Sequence, residues 1–234
     1  MQPTRILLKL SWEALKWSSE DGVHIGYLQK IGQKVANLYH QWWEIVIVVG
    51  AGNIFRGASG ETRWIERATW DYIGMIATMI NGLAIAGMLE HQQVPAKVMS
   101  ALNVPQVAEL FIRKHALTYL EEKKVVICVW GTGNPFFTTD SAAVLRALEL
   151  ECDFVVKGTK VDGIYDRDPH KFPEAIRYTE ISFADAIADQ LHIMDPSAIA
   201  LARDEDLPLF VCHIDAIDQL SSDEMIGTRV KERF

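Results

Sequence analysis

The chain has 234 residues, enough for one large domain or two small ones and for burial of roughly three quarters of its unfolded surface, so core size does not limit it. A formal charge of −8 argues against a nucleic-acid partner, because a phosphate backbone calls for a basic stripe that displaces counterions. The compact basic clusters, Arg113-Lys114-His115 and Lys123-Lys124, read as solvated faces. The three cysteines, Cys128, Cys152 and Cys212, each lie in or beside an apolar run without paired spacing, which predicts buried free thiols in a reducing cytoplasm rather than disulfides or a metal site.

In chain order, apolar runs alternate with helical patterns. No signal-peptide pattern precedes the first strand-like run, Ile6 to Leu10. A helical stretch, Ile25 to Tyr39, leads to a second run, Ile45 to Val49, and a long helical stretch, Thr69 to His91. Then come Lys97 to Leu102 as a strand, Val107 to Glu122 as a helix, Val125 to Val129 as a strand and Ser141 to Leu150 as a helix. Phe154 to Val156 and Leu209 to Cys212 read as further strands, with Ser197 to Asp204 helical between them. Continuous β-branched strands separated by helices predict a three-layer α/β/α sandwich around a mainly parallel sheet. No linker, long charge block or repeat interrupts it, so residues 1–234 read as a single domain.

Tyr72 to Leu89 is uncharged and long enough to be a membrane-span candidate. Thr78, Asn81 and the small residues Gly74, Ala77, Gly82 and Gly87 dilute its hydrophobicity, and the flanks Asp71 and Glu90 are not basic anchors. A helix buried in the core or in a subunit interface is the expectation, with no membrane partner.

Several strand ends carry chemistry. Lys9-Leu10-Ser11 closes the first strand with an ammonium and a hydroxyl, either a mobile point charge for phosphate or a solvated edge lysine. Gly50-Ala51-Gly52-Asn53-Ile54-Phe55-Arg56-Gly57 can aim backbone N–H groups at an anion, with Arg56 able to grip phosphate bidentately; a plain structural turn is the alternative. It is not a dinucleotide fingerprint, since the third glycine would fall on Phe55, and no Walker loop occurs. Asp71 near the start of the long helix reads first as a cap and second as an acceptor for ribose hydroxyls.

Gly131-Thr132-Gly133-Asn134-Pro135-Phe136-Phe137-Thr138-Thr139-Asp140 is the most informative segment. It joins glycines that let backbone approach phosphate, an aromatic wall and hydroxyl and carboxylate groups, between a strand and a helix, where open α/β sheets bind ligands. Lys157 to Pro169 follows the fifth strand with turn signals at Asp162-Gly163 and Asp168-Pro169; Tyr165 there could hold a nucleobase, or the segment could be a bare hairpin.

These motifs, in this order and over essentially the whole chain, resemble the uridylate-kinase branch of the amino acid kinase family. The resemblance implies transfer of the ATP γ-phosphoryl group to UMP, giving UDP and ADP, in pyrimidine nucleotide biosynthesis. It further implies Mg²⁺ carried by the nucleotide without direct side-chain ligation, a homohexamer, and GTP and UTP as effectors. Carried over by position, Lys9, Arg56 and Asp140 would be catalytic. Lys9, Leu10, Ser11, Trp12, Gly52, Arg56, Thr159, Tyr165 and Asp168 would bind ATP. Ala51, Asp71 and the stretch Thr132, Gly133, Asn134, Pro135, Phe136, Phe137, Thr138 and Thr139 would bind UMP.

The chain departs from that pattern at Trp12, where the family has glycine and where an indole should obstruct ATP, and at Ala51, which adds only a methyl group. Trp17, Trp42, Trp64, Trp70 and Trp130 also fall where relatives carry glycine or another small residue. A stop codon reassigned to glycine but written as tryptophan is one hypothesis that would account for the pattern. If the tryptophans are genuine, a nucleotide-binding or regulatory protein without turnover is the alternative, and a kinase for a carboxylate or carbamate is a third reading that Asn134 to Asp140 and Asp71 disfavour.

Overall fold

The computed structural model describes residues 4–11, 22–55, 65–191, 193–220 and 226–232. Trp12, Trp17, Arg56 and Trp64 lie outside the described residues. The central strands are β1 (Arg5–Leu10), β2 (Glu44–Val49), β3 (Ala96–Ser100), β4 (Glu109–Leu110), β5 (Val125–Val129), β6 (Phe154–Thr159), β7 (Glu180–Ser182), β8 (Leu209–His213) and β9 (Thr228–Lys231). They form one sheet in the order β4-β3-β5-β2-β1-β6-β8-β9-β7. Every pairing is parallel except β8 with β9, so β9 and β7 run against the rest.

The helices are α1 (Ile25–His40), α2 (Arg67–His91), α3 (Arg113–Glu121), α4 (Thr139–Glu149), α5 (Phe183–Ala188) and α6 (Pro196–Asp204). Strand alternation divides the core in two. Ile6, Leu8 and Leu10 of β1 and Ile45, Ile47 and Val49 of β2 pack with α1 and α2 on one side of the sheet. Leu7, Val46 and Val48 pack with residues of α3, α4, α5 and α6 on the other. The architecture is therefore the expected three-layer α/β/α sandwich, and Lys9, in phase with Leu7, belongs to the α4 side.

α2 has the length and composition of a membrane span, but it is a layer of the sandwich. Ala77, Asn81, Ile85 and Leu89 are buried against the sheet and α1, while Ile76, Ile80 and Leu83 form an exposed apolar stripe opposite. Cys128, Cys152 and Cys212 are buried free thiols.

Two readings of the sequence are corrected. The helix expected over Val107 to Glu122 begins only at Arg113. Before it, Glu109–Leu110 pairs with Met99–Ser100 and Phe111 N donates to Ser100 O at 2.8 Å, so edge-strand bonding holds these residues out of the helix. The C-terminal β7, α5 and β9 were not anticipated, being too short for periodicity to reveal.

Two tryptophans adopt the left-handed backbone that favours glycine, Trp42 at φ 69° and Trp130 at φ 67°. Trp42 is exposed beyond the end of α1, whereas Trp130 is buried directly after β5.

Candidate active site

The carboxyl ends of β1, β2, β5 and β6 share one edge of the sheet, and the segments leaving them surround a buried cluster of charge. Lys9 and Lys157 sit opposite one another in the register of β1 and β6. Between them stands Asp140, in the first turn of α4, with Oδ1 2.7 Å from Lys9 Nζ and Oδ2 3.1 Å from Lys157 Nζ. Lys9 Nζ also donates to Ser11 Oγ at 2.7 Å, and Lys157 Nζ donates to Ile193 O. Burial pushes the Asp140 carboxyl upward, but Lys9 and Lys157 outweigh it and hold the group below its ordinary value. Lys157 is likewise drawn down, by burial and by the like charge of Lys9 against the pull of Asp140.

Local chemistry fixes where Asp140 stands. Thr138 caps α4, its hydroxyl accepting from Asp140 N at 3.0 Å and Ser141 N at 3.4 Å. The same hydroxyl donates to Asp195, which in turn caps α6 by accepting from Ala198 N at 3.0 Å, with Pro196 in the first turn.

Two cavities flank the cluster. One, of about 260 Å³, is lined by Ala51, Gly52, Asp71, Thr132, Thr138 and Thr139 among others. A second, of about 510 Å³, is lined by Lys157, Thr159, Tyr165, Asp166 and Asp168 among others. Thr139 of the first cavity precedes Asp140 in the chain, and Lys157, which lines the second, is the ion-pair partner of Asp140.

Asp71 is not the cap of α2, as its position near the helix start had suggested. The helix begins at Arg67 after Glu66, and the carboxylate of Asp71 instead accepts from Phe136 N at 2.7 Å and from Arg67 Nε at 3.0 Å. A side chain of α2 thereby holds a loop 65 residues away. Gly131 at φ 54° and Gly133 at φ 84° let that loop turn. The ring of Phe136 is exposed with the Arg67 guanidinium 5.8 Å from its centre, and Phe137 borders the first cavity.

Among the other expected residues, Thr132 Oγ1 accepts from Asn134 N at 3.2 Å, so Asn134 folds back on its own loop, and neither Gly133, Asn134, Pro135 nor Phe136 lines the first cavity. Gly52, expected beside the phosphate donor, borders the first cavity with Ala51. Leu10 is buried at the end of β1. Tyr165 donates to Asp162 Oδ1 at 2.6 Å, which raises the phenol's pKa. Two cations were missed by the sequence reading: Lys157, whose partner emerges only from strand order, and Arg67, which borders the first cavity. Among the described residues no group of three or more His, Cys, Asp or Glu side chains could hold a metal ion.

Comparison with known proteins agrees with the geometry. Residues 4–213 match the family model described as "Amino acid kinase family". The chain is 46% identical over 211 residues to a uridylate kinase of Roseobacter denitrificans, covering 90% of this chain and 87% of the relative. It superposes on the crystal structure of UMP kinase from Bacillus anthracis with a TM-score of 0.94 at 32% identity, covering 100% of this chain and 98% of that one. The UMP kinase of Ureaplasma parvum gives a TM-score of 0.92, also at 32% identity, over 99% of this chain and 100% of that one.

Proposed function

The chain belongs to the amino acid kinase family, and from that premise we propose that it is a UMP kinase that transfers the γ-phosphoryl group of ATP to UMP, releasing UDP and ADP. One observation carries the reading: at a single sheet edge the Lys9–Asp140–Lys157 cluster has one cavity lined by Thr139, the residue before Asp140, and another lined by Lys157 itself. The first cavity takes UMP, with Asp71, Thr132, Phe137, Thr138 and Thr139 around it. The second takes the donor nucleoside beside Thr159, Tyr165 and Asp168. Lys9, Ser11 and Arg56 serve the donor phosphates, whereas Gly52 borders the acceptor cavity and Leu10 is buried at the end of β1, and residues 1–234 act as one kinase domain.

In this mechanism an oxygen of the UMP phosphate attacks the γ-phosphorus of ATP as the bond from that phosphorus to the β,γ-bridging oxygen breaks, and the electron pair leaves with ADP. The attacking oxygen is already anionic near neutral pH, so no protein nucleophile or strong base is needed. What the reaction asks of the protein is alignment and neutralisation of charge spreading over the transferred group. Lys9, Lys157 and Arg56 supply positive charge. Asp140 stands between the two lysines, paired with both, and does not itself bond to phosphorus. Mg²⁺ supplies further neutralisation when it arrives on ATP. The donor set suits that route, because the one carboxylate of the cluster is already engaged by two ammonium groups.

A cytoplasmic homohexamer working in pyrimidine nucleotide biosynthesis and responding to GTP and UTP completes the reading. An ADP-release assay with UMP, CMP, aspartate and glutamate as acceptors tests it. UMP-dependent turnover is expected; turnover with an amino acid, or tight nucleotide binding without turnover, would overturn it.

A further inference from the structure

Helix α2 and the turn after β2 together place three polar side chains, Thr78, Asn81 and Asn53, in a region that is otherwise apolar. Thr78 is 6% exposed and Asn81 0%, and they lie one turn apart on the face turned to the sheet. Polar groups in such a place raise the cost of folding unless each is fully bonded, and these are. Asn81 Nδ2 donates to Gly50 O at 2.8 Å and to Asn53 Oδ1 at 2.8 Å. Asn53, itself buried, returns a bond from Nδ2 to Asn81 Oδ1 at 3.1 Å and gives its other hydrogen to Gly22 O at 2.9 Å. Both amides thus spend all their hydrogens within the chain. One turn earlier, Thr78 Oγ1 donates to Met75 O at 2.7 Å and accepts from Trp130 N at 2.9 Å.

The two bonded backbone groups are not arbitrary. Gly50 follows β2 and opens the turn through Ala51 and Gly52; Trp130 follows β5 and opens the loop to Thr139. Trp130 and Gly131 both take the left-handed backbone, so the amide of Trp130 leaves the strand at the point where the chain bends. Close packing holds the helix to the same place: a Cβ on Gly82 would lie 2.3 Å from Val129 Cγ1.

We propose that Thr78 and Asn81 are positioning residues that fix the loops after β5 and β2 at the spacing the acceptor phosphate requires, each through one hydrogen bond to the first backbone group beyond its strand. The assignment rests on the UMP kinase reading. Thr78 acts through the amide of Trp130 and Asn81 through the carbonyl of Gly50.

The test compares Thr78→Val, which keeps the side chain's shape and removes the acceptor, with Thr78→Ser, which keeps the hydroxyl. Steady-state kinetics should show KM for UMP raised at least about tenfold in Thr78→Val and within about twofold of wild type in Thr78→Ser, as expected for a lost bond that orders a binding loop. Amide hydrogen exchange should quicken at residues 130–133 in the valine variant alone, and in Asn81→Ala at residues 50–55 instead. Equal behaviour of the valine and serine variants, or an unfolding temperature that drops in Thr78→Val with KM and exchange unchanged, overturns the proposal. If Asn81→Ala does not fold, the Thr78 pair alone decides. The exchange data stand apart from catalysis, so absent UMP turnover in wild-type protein would defeat the kinase reading while exchange still judges the bonds.

Discussion

Asp140→Asn removes the one negative charge that separates two buried ammonium groups while keeping the side chain's shape. In the native protein Lys9 Nζ and Lys157 Nζ lie 2.7 Å and 3.1 Å from its two oxygens, and the three side chains retain only 10%, 15% and 15% of their exposure. Removing one partner of a buried ion pair costs about 3–5 kcal/mol, and the residual exposure of these head groups favours the lower end. A loss of about 3 kcal/mol in a chain of this size lowers the unfolding temperature by about 6–12 °C. Lys157 limits the damage, because burial already depresses its pKa and the variant can shed that proton. Asp140 pulls the Lys157 value upward in the native protein, so without it Lys157 loses its proton at lower pH; between the two folded values only the variant binds fewer protons than its unfolded chain, so its stability rises with pH there and its deficit should shrink toward alkaline pH. Paired thermal melts of wild type and Asp140→Asn across neutral to alkaline pH measure this directly. A variant within about 1 kcal/mol of wild type at neutral pH, or a deficit that widens toward alkaline pH, would refute the charge-spacer account.

Other outcomes follow from the same structure. The carboxyl of Asp140 is held below its ordinary value of about 3.9, so its stabilising contribution is complete above that pH and lost as pH falls through the folded value; acid titration of stability should show this loss in wild type and not in Asp140→Asn. Trp42→Gly should stabilise by about 0.5–1 kcal/mol in denaturant melts, since the left-handed backbone costs a non-glycine residue about 1–2 kcal/mol and the freer unfolded chain returns part of it. Intact-mass measurement of protein made in its native host reports whether positions 42 and 130 are synthesised as tryptophan at all. Arg56→Ala should cut turnover at least about a hundredfold in the ADP-release assay, as for loss of a group neutralising transferred charge; a near-normal rate would remove Arg56 from the mechanism.

The apolar runs of β1, β2 and β5 could be read directly because strands buried on both faces carry an unbroken hydrophobic signal. The acceptor loop was legible for the same reason: it starts where such a run stops. Lys157 escaped because the fifth strand read as ending at Val156, one residue short, and because its pairing with Lys9 depends on β6 lying beside β1, a non-local choice. Asp71 was misread because a carboxylate near a helix start satisfies the local rule for capping, while its true partner, Phe136 N, is close only after the sheet has formed. β4, β7 and β9 are short and sit at or near the sheet's margins, where partners rather than pattern decide their conformation.

The opposition of Lys9 and Lys157 in register on adjacent central strands sets their separation by the sheet's own ladder, about 4.8 Å from strand to strand, rather than by any loop. Substrate entry and departure can therefore rearrange the surrounding segments without altering the gauge of the two cations. An electrostatic ruler of this kind resists thermal blurring as well as the sheet itself does, and substitutions in the outer loops should retune nucleotide choice while leaving the spacing of positive charge intact.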